Sequence, residues 1–237
     1  MKDQILKTIY TIFADWSAGE GIACEKGCAT CCTQNVTMTA LEGEIILRFI
    51  LEENMERWFA EKIRTNRPQH RPKMSTNDFA RACLQGRDVD FGELCNQDHC
   101  PFLEENICLI YPARPFSCRM MISETTCTAD RPALLPDHYF AASTAVAQII
   151  EHLGQKEYWG NMLDVLPALC DISEFSAVAD HLDNTIMRQT RMRTLTAKPL
   201  PGFLFTEEEE KTVSPLLRTI FDTEIDGKRI EDILNGK

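Results

Sequence analysis

The chain has 237 residues, 44% hydrophobic and 26% charged, so it is long enough to bury a core without staples and too apolar to be disordered. A net charge of −11, from 25 basic and 36 acidic residues, disfavours nucleic acid and anionic membrane as partners, because both reward positive surface. Eleven cysteines are then an excess that size does not explain, and ten of them lie between Cys24 and Cys127.

Ile5, Leu6, Ile9, Ile12, Phe13 and Trp16 recur at helical spacing and predict a core-facing first helix ending near Ala18-Gly19. Charges inside this stretch and the lack of a small-residue cleavage site argue against a secretory leader, so a reducing cytoplasm is expected. No apolar run reaches the roughly 20 residues that span a bilayer. Asn35 to Met38 reads as a short strand. Thr39-Ala-Leu-Glu42 is a capping box, and Leu41, Ile45, Phe49, Met55, Phe59 and Ile63 predict one long helix behind it.

Residues 64–74, with Pro68 and Pro72, read as a linker whose bases, Arg71 among them, are solvated. Ser75 opens a short helix that Gly86 ends, with Cys83 on it as a small packing residue. Cys100 to Tyr111 holds two apolar runs around a polar turn, a hairpin pattern. Pro112, Pro115, Pro132 and Pro136 keep the following segment irregular.

Three helical stripes follow: Ala142 to Leu153, Tyr158 to Leu169 with a break at Pro167, and Phe175 to Ile186. Asp164, Asp171, His138, His152 and His181 read as ordinary solvated or half-buried groups on or beside these stripes. Thr206 and Glu209 cap a last helix, so the run Glu207 to Glu210 complements a helix N-terminus and is not an interaction site. The expected fold is mainly α, a helical protein with a cysteine-rich metal-binding core containing a small β-hairpin. Residues 1–130 form the cysteine region with N-terminal helices, and residues 131–237 a helical region packed on it as one compact unit.

Cys24-Glu-Lys-Gly-Cys28-Ala-Thr-Cys31-Cys32 places four thiols in nine residues. Neighbouring thiolates repel unless a cation sits among them, and metal binding supplies that cation while releasing the thiol protons. Gly27 permits the tight turn of a C-x-x-C knuckle between Cys28 and Cys31. Adjacent Cys31 and Cys32 diverge, so they suit two nearby sites or a polynuclear cluster. Cys100, Cys108, Cys118 and Cys127 supply the remaining candidates, enough for two four-cysteine zinc sites or for one iron-sulfur cluster with four thiols left over. Cys95 and His99 are reserves, and Cys83 and Cys170 bystanders. Four thiolates on a 2+ core carry about −2, which Arg114 and Arg119, flanking Cys118, could offset.

The order Cys24, Cys28, Cys31-Cys32, then Glu42 in a capped helix, then Cys100-Pro-Phe-Leu, Cys108-Leu-Ile-Tyr and Arg114-Pro-Phe-Ser-Cys118-Arg119 resembles the YkgJ-type cysteine-cluster family, described as zinc- or iron-chelating. The resemblance covers roughly residues 20 to 130. It implies a metal-linked set of Cys24, Cys28, Cys31, Cys32, Cys100, Cys108 and Cys118, with Cys127 the weaker match by position. That family is distantly similar to flagellin lysine N-methylases, for which an iron-sulfur cluster has been proposed, but no methyl-donor glycine loop is recognisable in this chain.

Two functions compete. One is an iron-sulfur (4Fe-4S) protein serving a redox or methyl-transfer reaction. Its radical S-adenosylmethionine variant, suggested by the Cys24, Cys28, Cys31 spacing, is disfavoured by the helix that follows and by Cys32. The other is a zinc-stabilised module that binds a protein partner without catalysis, in keeping with the absence of an obvious acid-base pair or nucleophile.

Overall fold

The computed structural model describes residues 1–25, 27–89, 98–128 and 130–237. Among them are eleven α-helices and three small antiparallel sheets, and about 51% of the chain is helical, so the mainly-α expectation holds. Helix α1 (Lys2–Ser17) buries Ile5, Leu6, Ile9 and Phe13, the stripe read from its spacing. Strand β1 (Thr37–Thr39) runs into α2 (Ala40–Glu52) through the capping box: Thr39 Oγ1 accepts from the Glu42 amide and the Glu42 carboxylate accepts from the Thr39 amide.

The single long helix expected behind Thr39 is two helices. After α2 the chain turns at Asn54, whose φ of 56° is left-handed, and resumes as α3 (Glu56–Thr65). The Met55 amide donates to Ile50 O at 2.9 Å and the Asn54 amide to Leu51 O at 3.2 Å, a Schellman closure with Asn in the position that glycine usually takes. Helix α4 (Thr76–Leu84) is capped by Ser75 and followed by Gly86 at φ 65°. The hairpin forms as β2 (Leu103–Glu104) and β3 (Ile107–Cys108), joined by Glu105 and Asn106, both left-handed.

Helix α5 (Phe116–Arg119) is one turn, and α6 (Asp137–Leu153) carries the first stripe of the second half. The second stripe is not helical throughout. Tyr158–Asn161 is strand β4, the centre of the sheet β1-β4-β5, where β5 is Leu195–Thr196, and only Met162–Leu169 is helix α7, with Pro167 inside it. Pairing with β5, where Tyr158 stands opposite Thr196, overrides the helical spacing of Tyr158. The third stripe breaks as well, into a 3-10 turn Ser173–Phe175, the short α8 (Ser176–Ala179) and α9 (Asn184–Arg191), which Asp183 caps. Helix α10 (Glu207–Asp222) has the expected capping box. The chain ends with the pair β6 (Glu224–Ile225) and β7 (Lys228–Arg229) and helix α11 (Ile230–Leu234).

Two apolar cores result. One joins α2, α3, the hairpin, α7 and α9 around Ile46, Ile50, Phe59, Phe102, Leu166 and Phe175. The other joins α1, α5, α6 and α10 around Ile9, Phe13, Phe116, Tyr139, Ile149 and Ile220. Helix α2 packs so close to α7 and β1 that a Cβ on Gly43 would stand 2.6 Å from a Leu169 methyl and 2.8 Å from that of Met38. Asp164, expected to be solvated, is buried instead. Arg71 grips it with two donors at 2.6 and 3.4 Å, so a base assigned to a free linker anchors the start of α7.

Candidate metal centre

Each cysteine segment is positioned by elements outside it. The residues after Cys31 pair with those before the hairpin: Thr33 bridges His99, the Gln34 amide donates to Asp98 O at 3.1 Å, and the Cys100 amide to Cys32 O at 2.9 Å. Cys32 and Cys100 are thereby neighbours. Cys100 then enters the hairpin, where Leu103 pairs with Cys108, and Phe102 beneath it stacks on Phe59 at 6.1 Å.

Cys118 lies on α5, which is fastened at both faces. The Phe116 amide donates to Glu42 Oε1 at 2.7 Å and Ser117 Oγ to Thr37 O at 2.6 Å, while the Phe116 ring meets Phe13 edge-on at 4.9 Å. A separate tie serves the outer thiols. The Ala23 amide donates to Ser123 O at 2.8 Å, which brings Cys24 alongside the segment carrying Cys127.

All ten described cysteines are free. Cys24, Cys28 and Cys31 are exposed; Cys32, Cys108, Cys118 and Cys127 are half-buried; Cys100 is buried. Burial pushes the Cys100 thiol up to about 11 and raises Cys108 and, strongly, Cys118, whose neighbours Cys100 and Cys108 add to the effect. Cys24 is raised by burial and by Cys28, Cys31 and Cys127, against a hydrogen bond from the Ser123 backbone. The vicinal pair splits. A hydrogen bond between the two side chains lowers Cys32 and, together with burial, raises Cys31.

The two arginines flanking Cys118 differ in what they reach. Arg114 lies over the Tyr111 ring at 3.6 Å and bears electrostatically on Cys108 and Cys118. Arg119 donates to Arg114 O and Pro112 O at 2.8 and 2.9 Å and lies 4.4 Å over the Tyr10 ring.

Sequence reasoning missed the reach of Glu42. Its buried carboxylate accepts from Tyr10 Oη at 2.8 Å as well as from Phe116 and Thr39, tying α1, α2 and α5 together behind the thiols. The capping box signalled this glutamate, but nothing in the local sequence signalled its distant donors. Cys83 is half-buried on α4, Cys170 is buried and donates to Leu166 O at 3.4 Å, and Cys95 lies outside the described residues.

The donors suit a soft or borderline metal, since thiolates select zinc, copper(I) and iron-sulfur clusters over harder ions. Among the described residues, no three Cys, His, Asp or Glu side chains stand in an arrangement that could itself hold an ion.

Comparison with known proteins agrees with this donor chemistry. Residues 23–133 match the family model CxxCxxCC, described as a putative zinc- or iron-chelating domain. No match is found among curated proteins or among solved structures. No described helix is long and apolar enough to cross a membrane. Over residues 23–133 this chain thus resembles the CxxCxxCC family of cysteine-cluster domains, described as zinc- or iron-chelating.

Proposed function

We propose that the protein is an iron-sulfur protein whose ligands are drawn from Cys24, Cys28, Cys31, Cys32, Cys100, Cys108, Cys118 and Cys127. The observation that carries this reading is eight free thiols from separate segments within electrostatic reach of one another, with Cys31 and Cys32 adjacent and hydrogen-bonded to each other. A polynuclear core accommodates that crowding better than one tetrahedral ion does. Arg114, which bears on Cys108 and Cys118, would offset part of the negative charge of thiolates on a 4Fe-4S cluster, and Phe102, Ile110 and Phe116 are buried beside the cysteines in the sequence. Such a cluster supplies one-electron redox capacity, which a redox or methyl-transfer reaction would use. Free thiols throughout the described chain suit a reducing cytoplasm, and the charge of −11 suits neither nucleic acid nor an anionic membrane.

A zinc-stabilised interaction module is the second reading. It is favoured by apolar side chains left exposed on and around the cysteine segment, namely Ile22 (43%), Ile107 (44%), Tyr111 (58%), Leu134 (52%) and Phe140 (65%).

Purification without oxygen, followed by iron, sulfide and zinc analysis and a visible spectrum, separates the two. Brown protein with broad absorption near about 400 nm and matched iron and sulfide is the expected result. Colourless protein that retains only zinc overturns the iron-sulfur reading.

A further inference from the structure

Residues 197–206, between β5 and α10, form neither helix nor strand and cross α4 and α6 on a line of side-chain contacts. Pro199 and Pro201 have no N–H, so Lys198 and Leu200 carry the only main-chain donors of the stretch 198–201. Two consecutive residues at the end of α6 accept from both: Glu151 Oε1 from the Lys198 amide and His152 Nδ1 from the Leu200 amide, each at 2.8 Å. The carbonyls are met as well, Lys198 O by Asn77 Nδ2 at 2.9 Å, Pro199 O by Arg81 at 3.0 Å and Gly202 O by Gln148 Nε2 at 3.2 Å. Beyond them Phe203 and Phe205 stack at 5.5 Å and pack on the second core.

Two bonds fix His152 in one protonation state. Leu234 O, 2.9 Å from Nε2, can only accept, so Nε2 carries the hydrogen and Nδ1 presents its lone pair to Leu200. A proton on Nδ1 would set a donor against the Leu200 amide, while the bond to Leu234 O survives. We propose that residues 198–205 are an acid-released strap, which the uncharged His152 ring holds on α4 and α6 and the protonated ring lets go. The attached strap binds fewer protons at His152 than the detached one, so its hold weakens as pH falls.

Glu151 works in the opposite sense. Burial raises its carboxyl, against bonds from Ser75, Asn77 and Lys198 and with a contribution from Asp78, so proton uptake there favours the packed state. The other charged groups on the elements packed here are Arg81 on α4, Lys198 on the strap, Lys156 and Glu157 before β4, Lys2 on α1, Asp222 on α10, and Glu231 and Asp232 on α11. Lys2 pairs with Glu157, and Arg229 with Asp222, Glu231 and Asp232; among the described residues none pairs with His152. The strap is independent of what the thiols hold.

The test is hydrogen–deuterium exchange of the full chain, followed by mass spectrometry from about pH 8 to about pH 5.5 and corrected for the intrinsic pH dependence of exchange. The fragment covering residues 197–205 should lose protection about tenfold on acidification, while α2 and α6 keep theirs. In His152→Asn, whose side-chain oxygen supplies an acceptor that does not titrate, the same fragment should stay protected over the whole range. Wild-type protection of the fragment that does not change with pH, or that falls together with that of α2 and α6, overturns the proposal whether or not the variant folds. Equal loss in His152→Asn and wild type assigns the release to another group and overturns it too.

Discussion

Glu42 concentrates more of the structure on one side chain than any cysteine does. Its two oxygens accept from the Thr39 amide at 2.9 Å, Thr39 Oγ1 at 3.0 Å, Tyr10 Oη at 2.8 Å and the Phe116 amide at 2.7 Å, in a site only 3% exposed. Removing the carboxylate strands several buried donors at once, and each stranded group costs its desolvation and not merely a bond. Glu42→Ala should therefore destabilise the protein by about 2–4 kcal/mol in urea unfolding, and Tyr10→Phe, which loses one bond, by about 1 kcal/mol. Equal effects from the two would show that the shared carboxylate is not the hub. Because Phe116 leads into Cys118, the Glu42→Ala protein should also retain less metal after desalting.

The pair formed by Arg71 and Asp164 permits a second prediction at this scale. Asp164 has a side chain 2% exposed, and after Arg71 its nearest cation is Arg193 at 3.9 Å. Arg71→Met leaves a buried carboxylate short of its main partner and should cost about 3 kcal/mol, while Arg71→Met with Asp164→Asn should cost less than the sum of the two single changes. Additive losses would mean that the ion pair contributes nothing beyond its separate residues.

At the scale of elements, what the sequence makes legible is whatever depends on neighbours along the chain. The capping boxes at Thr39 and Thr206, the cap at Ser75 and the hairpin around Glu105-Asn106 are local patterns, and they stand where they are read. Errors arise where apolar spacing continues across a break. Ile45, Phe49, Met55 and Phe59 keep helical rhythm through Asn54, but they belong to two separate helices, and the stop is encoded by one residue able to adopt φ 56°. Tyr158 fits a helical stripe equally well, and only its pairing with Thr196 makes it a strand. The gathering of thiols was readable as composition and order. Which thiols become neighbours was not, because that depends on long-range ties such as the bonds from Cys100 to Cys32 and from Ala23 to Ser123.

Asn54 makes the element-level reading testable. If its left-handed turn is what separates α2 from α3, Asn54→Ala should cost about 1 kcal/mol, the penalty for a Cβ in that region, and Asn54→Gly should cost nothing or stabilise slightly. Thermal melts of the three proteins check this, and indifference to alanine would mean that packing of Phe59 and Ile63 alone sets the break.

For the whole molecule, residue 130 is a boundary in cysteine content but not in packing. Helix α1 lies on α6 and α10, α2 lies on α7, and α4 lies on α6, so each core draws on both halves of the chain. The cysteine segment is itself stitched into both, through Phe102 in one core and Phe116 in the other. We therefore propose that the two regions fold as one unit. Trp16 packs at the second core, Trp58 beside the first, and Trp159 on the sheet between β1 and β5. Their fluorescence and the far-UV circular dichroism should thus change in one coincident transition. Metal that binds the folded state and not the unfolded one raises that transition, so stripping it anaerobically should lower the midpoint without dividing the curve. Fragments 1–130 and 131–237, produced separately, would each expose half of two cores and should show no cooperative unfolding. A fragment that melts cooperatively on its own would show that the change in composition at residue 130 is also a boundary of folding.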